Sequence, residues 1–310
     1  MNGGGIYKAA ASVLAVTGMT IYHNTAAIGQ SGGLHLVGTG SAVLDRVSVT
    51  QNTSVSGGGG MTVGTVVTVS NSTVAGNMTG DATGGGIFSA SLGNTTILNT
   101  ILNTTVSRNT AGIGGGVGVT GPATLTNVTL INNVATDFGG GIGSHDAGAP
   151  TLTNVLLSGN LLGEVPDNCQ AGGGATILSG GHNLSGDATC AGFLVHPDDK
   201  NDVAAGVNAT LANNGGPTLT HALTAGSPAI DMGLAGACPP TDQRLFGRNG
   251  VCDIGAFEFE GVPPAPSAFL LKPAAPVRAV GQASVRSDAP LWLPRPGAVD
   301  VGPVSPTPMR

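Results

Sequence analysis

A cluster of glycines followed by one apolar residue recurs six times in the first half of the chain, at intervals of 25–30 residues. A self-similar period of this length is typical of stacked repeat architectures, in which each repeat buries its apolar face only against its neighbours. The apolar residues that follow the glycines are Ile6, Leu34, Met61, Ile87, Val117 and Ile142. The sequence therefore predicts a solenoid.

Each repeat has two further apolar positions at matching places. The first of these columns comprises Val16, Leu44, Val69, Ile101, Leu125 and Leu152. The second comprises Ile21, Val49, Val74, Val106, Leu130 and Leu157. No segment has a long apolar pattern of helical period, so helical repeats are not expected. We predict instead an all-β fold, a parallel β-helix of about six coils over residues 3–165, with three short strands per coil and these columns inside.

An asparagine ends the second apolar segment of every repeat, three residues after its apolar column. These asparagines are Asn24, Asn52, Asn77, Asn109, Asn133 and Asn160. Asparagine tolerates left-handed turns, and its amide can hydrogen-bond to the next asparagine of a column. We predict that Asn77, Asn109, Asn133 and Asn160 form an internal structural ladder rather than a ligand site.

Composition argues against several classes of function. Charged residues make up 9% of the chain, the net charge is −6 and the pI is about 5.3, so no basic face for nucleic acid is expected. The sequence has no apolar run long enough to predict a membrane span. No signal peptide is visible, and residue 3 already belongs to a coil. We therefore expect the chain to be truncated at its N-terminus.

Four cysteines lie in the second half of the chain, at Cys169, Cys190, Cys238 and Cys252. The absence of a C-x-x-C motif and the scattered histidines argue against zinc. Four cysteines allow three pairings. We favour the nearest-neighbour pairs, Cys169–Cys190 and Cys238–Cys252, because each would close a segment where the repeat weakens. Disulfides predict an oxidising compartment outside the cytoplasm.

The segments "GSPAIDMG" (226–233) and "TDQRLFGRNGVCDIGAFEF" (241–259) are the most distinctive motifs of the chain. Together with the coils, over roughly residues 3–260, they resemble the bacterial extracellular family of choice-of-anchor Q domain proteins. The coils are also broadly similar to the repeats of polymorphic outer membrane proteins. The resemblance implies a right-handed, single-stranded parallel β-helix that is exported and held at the cell surface. It implies no catalytic residues.

We divide the chain into three regions. Residues 1–165 form the Gly/Asn-rich coils, and residues 166–260 continue the β-helix and close it with two disulfides. Residues 261–310 contain 11 of the 19 prolines and are expected to be an extended or disordered Pro/Ala-rich tail, because proline cannot complete a strand ladder.

Few side chains on the coils suit catalysis, since the first 160 residues contain only seven charged ones. Carbohydrate-active β-helices need clustered carboxylates for acid–base chemistry or for calcium. The best cluster is "HPDDKND" (196–202), with Asp198, Asp199 and Asp202, although a solvated loop is the simpler interpretation. We interpret Asp242 and Arg244, together with Asp253, as a buried ion-pair clasp.

We therefore expect a non-enzymatic scaffold, secreted or at the bacterial cell surface and adhesin- or passenger-like, without a cofactor. Its partners would be glycans or surface proteins of a host or neighbouring cell. The alternative is a carbohydrate-active β-helix, a polysaccharide lyase or hydrolase. Its acidic site would lie near residues 196–202 and 242–253, with Asp198, Asp199 and Asp242 as catalytic candidates and calcium as a candidate ion.

Overall fold

The structure is a computed structural model that describes residues 4–9, 11–90 and 98–265. It is all-β, and its parallel strands form a solenoid of about six turns. Helix in the described residues is confined to two 3-10 turns, Ala188–Cys190 and Ala235–Ala237. The predicted parallel β-helix is confirmed. Of the predicted tail, residues 266–310 lie outside the described residues.

The strands form two sheets that run the length of the solenoid. The larger sheet contains β1 (Ile6–Lys8), β2 (Ser12–Thr17), β3 (Thr20–Tyr22), β5 (Leu34–Asp45), β6 (Ser48–Thr50), β8 (Met61–Ser70), β9 (Thr73–Ala75), β11 (Ile87–Ser89), β12 (Asn99–Ser107), β14 (Val117–Val119), β15 (Pro122–Ile131), β17 (Ile142–Ser144), β18 (Ala149–Thr153), β19 (Leu156–Ser158), β22 (Cys169–Ala171), β23 (Leu178–Gly181) and β24 (Leu184–Ser185). The smaller sheet contains β4 (Thr25–Gln30), β7 (Thr53–Ser56), β10 (Met78–Thr79), β13 (Thr110–Ile113), β16 (Val134–Phe138), β20 (Leu161–Leu162) and β21 (Val165–Pro166).

The register of the larger sheet joins the apolar columns expected from the sequence. All three columns pair residue by residue from coil to coil, beginning with Ile6 opposite Leu34 and ending with Leu130 opposite Leu157. Val74, Val106 and Leu130 are fully buried neighbours on successive coils. Burying such a side chain contributes about 1.5–3 kcal/mol, so the stacked columns supply much of the fold's stability.

The glycine clusters are required by the close approach of the coils. A Cβ atom placed on Gly60 would lie 2.6 Å from the carbonyl oxygen of Gly86 and 2.9 Å from Nδ2 of Asn77. Neither the backbone carbonyl nor the buried amide can move away cheaply. Glycine at this position is therefore a packing requirement.

Beyond the coils the chain turns back and covers one of their outer faces. We call residues 205–262 the strap. Its apolar side chains form a second core with outward-facing side chains of the coils; the members are Ile131, Leu156, Leu184, Ala205, Leu223, Ala229, Ile254 and Phe257. Over residues 205–262 the strap contains no β-strand, and its β-type pairing is limited to isolated bridges such as the one between Ala212 and Thr220. Tertiary packing on the coils, rather than a sheet of its own, holds the strap in place.

Two disulfides close the C-terminal region, with the pairing that the sequence favoured. Cys169 on β22 joins Cys190 at the end of the first 3-10 turn, and Cys238 joins Cys252 inside the strap. Stable disulfides indicate an oxidising, non-cytoplasmic location. Among the described residues, none of the helices has the length and apolar character to cross a membrane.

Candidate functional site

The ladder asparagines bind one another inside the solenoid. Nδ2 of Asn77 donates to Oδ1 of Asn109 at 2.9 Å, and Nδ2 of Asn109 donates to Oδ1 of Asn133 at 2.9 Å. The backbone N–H of each asparagine donates to the same oxygen. Asn133 and Asn160 continue the pattern, and all four side chains are buried. Their amides are engaged in the fold and are not exposed to a ligand.

A second asparagine column fixes the strap to the coils. Asn71, Asn103, Asn127 and Asn154 all adopt positive φ, the left-handed conformation that asparagine tolerates better than most residues. Nδ2 of Asn103 donates to the carbonyl of Thr241 at 2.8 Å, and Nδ2 of Asn127 donates to that of Asp253 at 3.0 Å. Asn103 and Asn127 therefore also serve as anchors for a segment more than 120 residues further along the chain.

Gln243 is the centre of the polar contact between strap and coils. Its side chain is fully buried; Oε1 accepts a hydrogen bond of 2.6 Å from the Thr105 hydroxyl, and Nε2 donates to the Leu219 carbonyl at 2.9 Å. Nearby, Nε2 of His221 lies 2.9 Å from the Ser107 hydroxyl. Burial, with a smaller contribution from the charge of Arg108, lowers the pKa of His221. The imidazole is therefore neutral at physiological pH.

Two buried ion pairs hold the end of the strap. Arg244 donates from Nε to Oδ2 of Asp242 at 2.8 Å, and its guanidinium lies between the rings of Phe246 and Phe257, 4.2 Å and 3.7 Å from their centroids. Cations over aromatic faces gain further attraction when they are desolvated. The Asp242–Arg244 pair agrees with the buried clasp that we predicted.

The second ion pair was not predicted. Nη1 of Arg248 donates to Oε2 of Glu258 at 2.8 Å, and Nη2 donates to Oδ1 of Asn103 on the coils at 3.1 Å. Both side chains are nearly buried. We call Asp242, Arg244, Arg248, Asp253 and Glu258 the clasp.

Asp253 has a different role from the one expected, because no arginine of the described residues binds its carboxylate. Oδ1 accepts from the backbone N–H of Asp231 at 2.8 Å, and Oδ2 accepts from that of Phe259. Burial raises the pKa of Asp253 to about 6, and the charges of Glu258 and Asp231 add to the effect. Asp253 therefore fastens the backbone of the strap and titrates in weak acid.

The acidic loop does not bring its carboxylates together. Asp199 is directed inward, where it accepts hydrogen bonds from the Ser179 hydroxyl at 2.6 Å and from the backbone N–H of Asn183 at 2.9 Å. Asp198 is exposed, and its Oδ2 lies 3.5 Å from Nε2 of His182 and 3.5 Å from Nδ1 of His196. Across the described ranges, no group of three His, Cys, Asp or Glu side chains has the arrangement of a metal site.

Of the three catalytic candidates, two are held by the fold. Asp242 is completely buried and accepts hydrogen bonds from the backbone N–H groups of Arg244, Phe246 and Glu258 as well as the Arg244 side chain. Asp199 fixes the loop around Asn183. A general acid or base must reach the proton that it transfers. Only Asp198 is placed where a substrate could contact it.

The sequence interpretation missed Gln243, Arg248 and Glu258. One signal was present: Ile131 and Leu156 are apolar at outward-facing positions of the coils, which indicates that another segment covers them. Periodicity within the coils could not identify that segment. Comparisons of the chain with protein-family models, with curated proteins and with solved structures find no match.

Proposed function

We propose that this protein is a non-enzymatic β-helix scaffold of the choice-of-anchor Q kind, secreted or displayed at a bacterial cell surface. Its partners are glycans or surface proteins of a host or neighbouring cell. The observation that carries the proposal is the use of the strap's charged side chains as buried fasteners. Asp242, Arg244, Arg248 and Glu258 hold the strap on the coils and are nearly inaccessible to a substrate.

The disulfides support export. Cytoplasmic reductants keep thiols reduced, so two structural disulfides are typical of proteins that work outside the cytoplasm. A solenoid also suits display, because its side walls offer an extended surface while each coil depends only on its neighbours. The strap covers one outer face of this stack, and both disulfides lie in the C-terminal region.

One observation favours the carbohydrate-active alternative, the exposed Asp198 between His182 and His196. A polysaccharide panel of pectin, alginate, xylan and chondroitin tests it, with release of reducing ends and of unsaturated products as the two measurements. We expect no depolymerisation by the 310-residue chain. Asp198→Asn is the informative variant, and Asp202→Asn in the same loop is its control. If the wild type and Asp202→Asn depolymerise a polysaccharide and Asp198→Asn does not, the protein is a carbohydrate-active enzyme and the scaffold proposal is wrong.

Export is tested separately in a bacterium that produces the protein naturally. We expect an antibody to detect the protein in the medium or on intact cells, where added protease removes it. We also expect all four cysteines to resist alkylation until a reductant is added. A protein confined to the cytoplasm with reactive thiols would contradict the proposal.

A further inference from the structure

A groove of about 320 Å³ lies between the turns of the coils and the strap. That volume is at the lower end of the range of small-molecule sites. Thr50, Gln51 and Arg108 supply polar groups from the coils, and Leu211 and Leu219 form an apolar wall on the strap. Neither the ladder nor the clasp uses these side chains.

Arg108 differs from the other arginines of the described chain. Arg46, Arg244 and Arg248 each form an ion pair, with Asp45, Asp242 and Glu258 respectively. Within the described ranges Arg108 has no carboxylate partner, and its one hydrogen bond runs from Nη2 to the carbonyl of Ala209 at 2.9 Å. A guanidinium has five N–H donors, so most of its hydrogen-bonding capacity faces the groove and solvent.

The backbone of Arg108 is held in an unfavourable conformation. Its φ is +55°, in the left-handed region that residues with a Cβ rarely occupy. The same turn position in the other coils is His23, Gln51, Gly76, Asn132 or Gly159, and all of them also have positive φ, which glycine and asparagine tolerate better than the other types. Stability alone would favour glycine or asparagine at position 108. The conformation therefore belongs to the turn, and Arg108 is distinguished by a guanidinium that has no carboxylate partner within the described ranges.

Gly76 opens a gap between two polar side chains. Gln51, Gly76 and Arg108 occupy successive coils, so the backbones of Gln51 and Arg108 are about 9.5 Å apart, two strand spacings. A Cβ added to Gly76 would meet only Cγ of Gln51, at 3.6 Å. The gap therefore has a donor-rich cation on one side and an amide on the other.

We propose that this groove binds a uronic-acid unit of an acidic polysaccharide. The Arg108 guanidinium pairs with the carboxylate in a two-pronged geometry. Gln51 and Thr50 hydrogen-bond to ring hydroxyls, and Leu211 and Leu219 contact the apolar face of the sugar. The groove is open to solvent, so one unit of a longer polymer can enter it. The inference rests on the glycan partner of the proposed function and specifies its chemistry, whether or not the protein is displayed on cells.

Isothermal titration calorimetry of the full chain tests the proposal with trisaccharides of galacturonate, glucuronate and mannuronate. Neutral trigalactose has the sugar rings without the carboxylates, and free acetate has the carboxylate without the ring, so the two probes separate the contributions of charge and ring to binding. Arg108→Asn removes the cation and introduces the residue type of Asn132, so the variant should fold and melt no lower than the wild type. Arg46→Asn is the control, since Arg46 has the same positive φ but is paired with Asp45.

We expect at least one uronate trisaccharide to bind, with affinity that falls as salt is raised. Arg108→Asn should weaken it at least tenfold, Gly76→Asn should weaken it by filling the gap, and Arg46→Asn should leave it unchanged. Three outcomes overturn the site: no uronate binds, Arg108→Asn binds as tightly as the wild type, or acetate binds as tightly as the trisaccharide. Any of them with normal secretion leaves the proposed display intact. Depolymerisation would contradict the non-enzymatic scaffold and cytoplasmic retention would contradict display, and neither result removes the groove.

Discussion

The coils and the strap bury polar groups in opposite ways. In the coils one arrangement repeats, so that Asn77, Asn109 and Asn133 make the same hydrogen bonds one coil apart. In the strap the buried polar side chains each make a different set of contacts, as with Asp242 and Arg244. The coils carry few charges, whereas the strap buries two ion pairs.

This difference determines how the stability of each region responds to a mutation. A coil depends on its two neighbours, so its stability is close to a sum of repeated local terms. The strap depends on contacts that span long sequence separations, such as Thr105 with Gln243, 138 residues apart. Loss of one partner in the strap removes a contact that occurs once in the described chain, whereas each contact of the ladder recurs from coil to coil.

The largest expected effect is a charge placed inside the coils. Leu130→Asp puts a carboxylate where the side chain is fully buried, and should cost about 5 kcal/mol or more in the free energy of unfolding. We expect aggregation or loss of the cooperative transition in circular dichroism. Thr124→Asp, on an outward-facing position of the same strand, is the control and should fold. If the protein folded equally well with either substitution, the apolar column that contains Leu130 would have to face solvent.

The next effect compares the two regions directly through their ion pairs. Asp242→Ala leaves the buried Arg244 guanidinium without its carboxylate partner and should cost about 3–5 kcal/mol. Arg46→Ala breaks the more exposed Asp45–Arg46 pair but keeps the hydrogen bonds from Ser70 and Asn71 to Asp45, and should cost less than about 1 kcal/mol. Urea unfolding gives both values, and trypsin should cut Asp242→Ala early after Arg244 or Arg248. Equal costs would show that the clasp is an ordinary surface pair.

An intermediate effect is expected from the ladder. Asn109→Ala removes the acceptor of two hydrogen bonds from Asn77 and leaves the Val74 carbonyl without its side-chain donor. Buried groups left unsatisfied should cost about 2–3 kcal/mol in total. Asn132→Gly, at the adjacent turn position with positive φ, should change stability little. A neutral Asn109→Ala in chemical denaturation would mean that the ladder contributes no stability.

The smallest expected effect is a difference between the two regions in how their stability depends on pH. Burial raises the pKa of Asp45, but hydrogen bonds from Asn71, Arg46 and Ser70 outweigh it and the net pKa is lowered. Asp45 therefore stabilises the coils above about pH 4, and this contribution is lost on acidification. The pKa of Asp253 is raised to about 6. Its contribution is fully present below about pH 4 and is lost as the pH rises through about 6.

Asp253→Asn isolates this contribution, because the other titrating groups affect the free energy of unfolding of wild type and variant alike. The stability gap between wild type and variant should narrow by about 1–2 kcal/mol between about pH 4.5 and about pH 7. Buried His221 and His35 favour the opposite trend, because their pKa values are lowered, so the difference between proteins is the quantity to compare. A gap that stays constant with pH would show that Asp253 has an ordinary pKa.

The sequence predicted the coils because their contacts are periodic. The spacing from Leu34 to Met61 and from Val106 to Leu130 appears unchanged in the strand register. Side chains that recur at one period must stack in one column, so alignment of the repeats was enough to identify the core.

The strap could be anticipated only in part. Asp242 and Arg244, two residues apart, predicted a local ion pair, but nothing local to Gln243 indicates that its partner is Thr105. Asp253 was grouped with Arg244 on charge alone, whereas the structure gives it backbone N–H partners. The course of a segment without periodicity is determined by tertiary contacts, and a single sequence does not contain their pairing.

Hydrogen–deuterium exchange of the full chain tests most directly whether the strap is an integral, fastened part of the solenoid. The amides of Gln243, Ile254 and Gly255 donate to Ala256, Ala229 and Asn154 in the structure. Peptides covering 242–246 and 254–258 should therefore be protected for as long as the coil peptide covering 104–107. Exchange of the strap peptides within seconds, while the coil peptide stays protected, would contradict a fastened strap and the structural role of its buried charges.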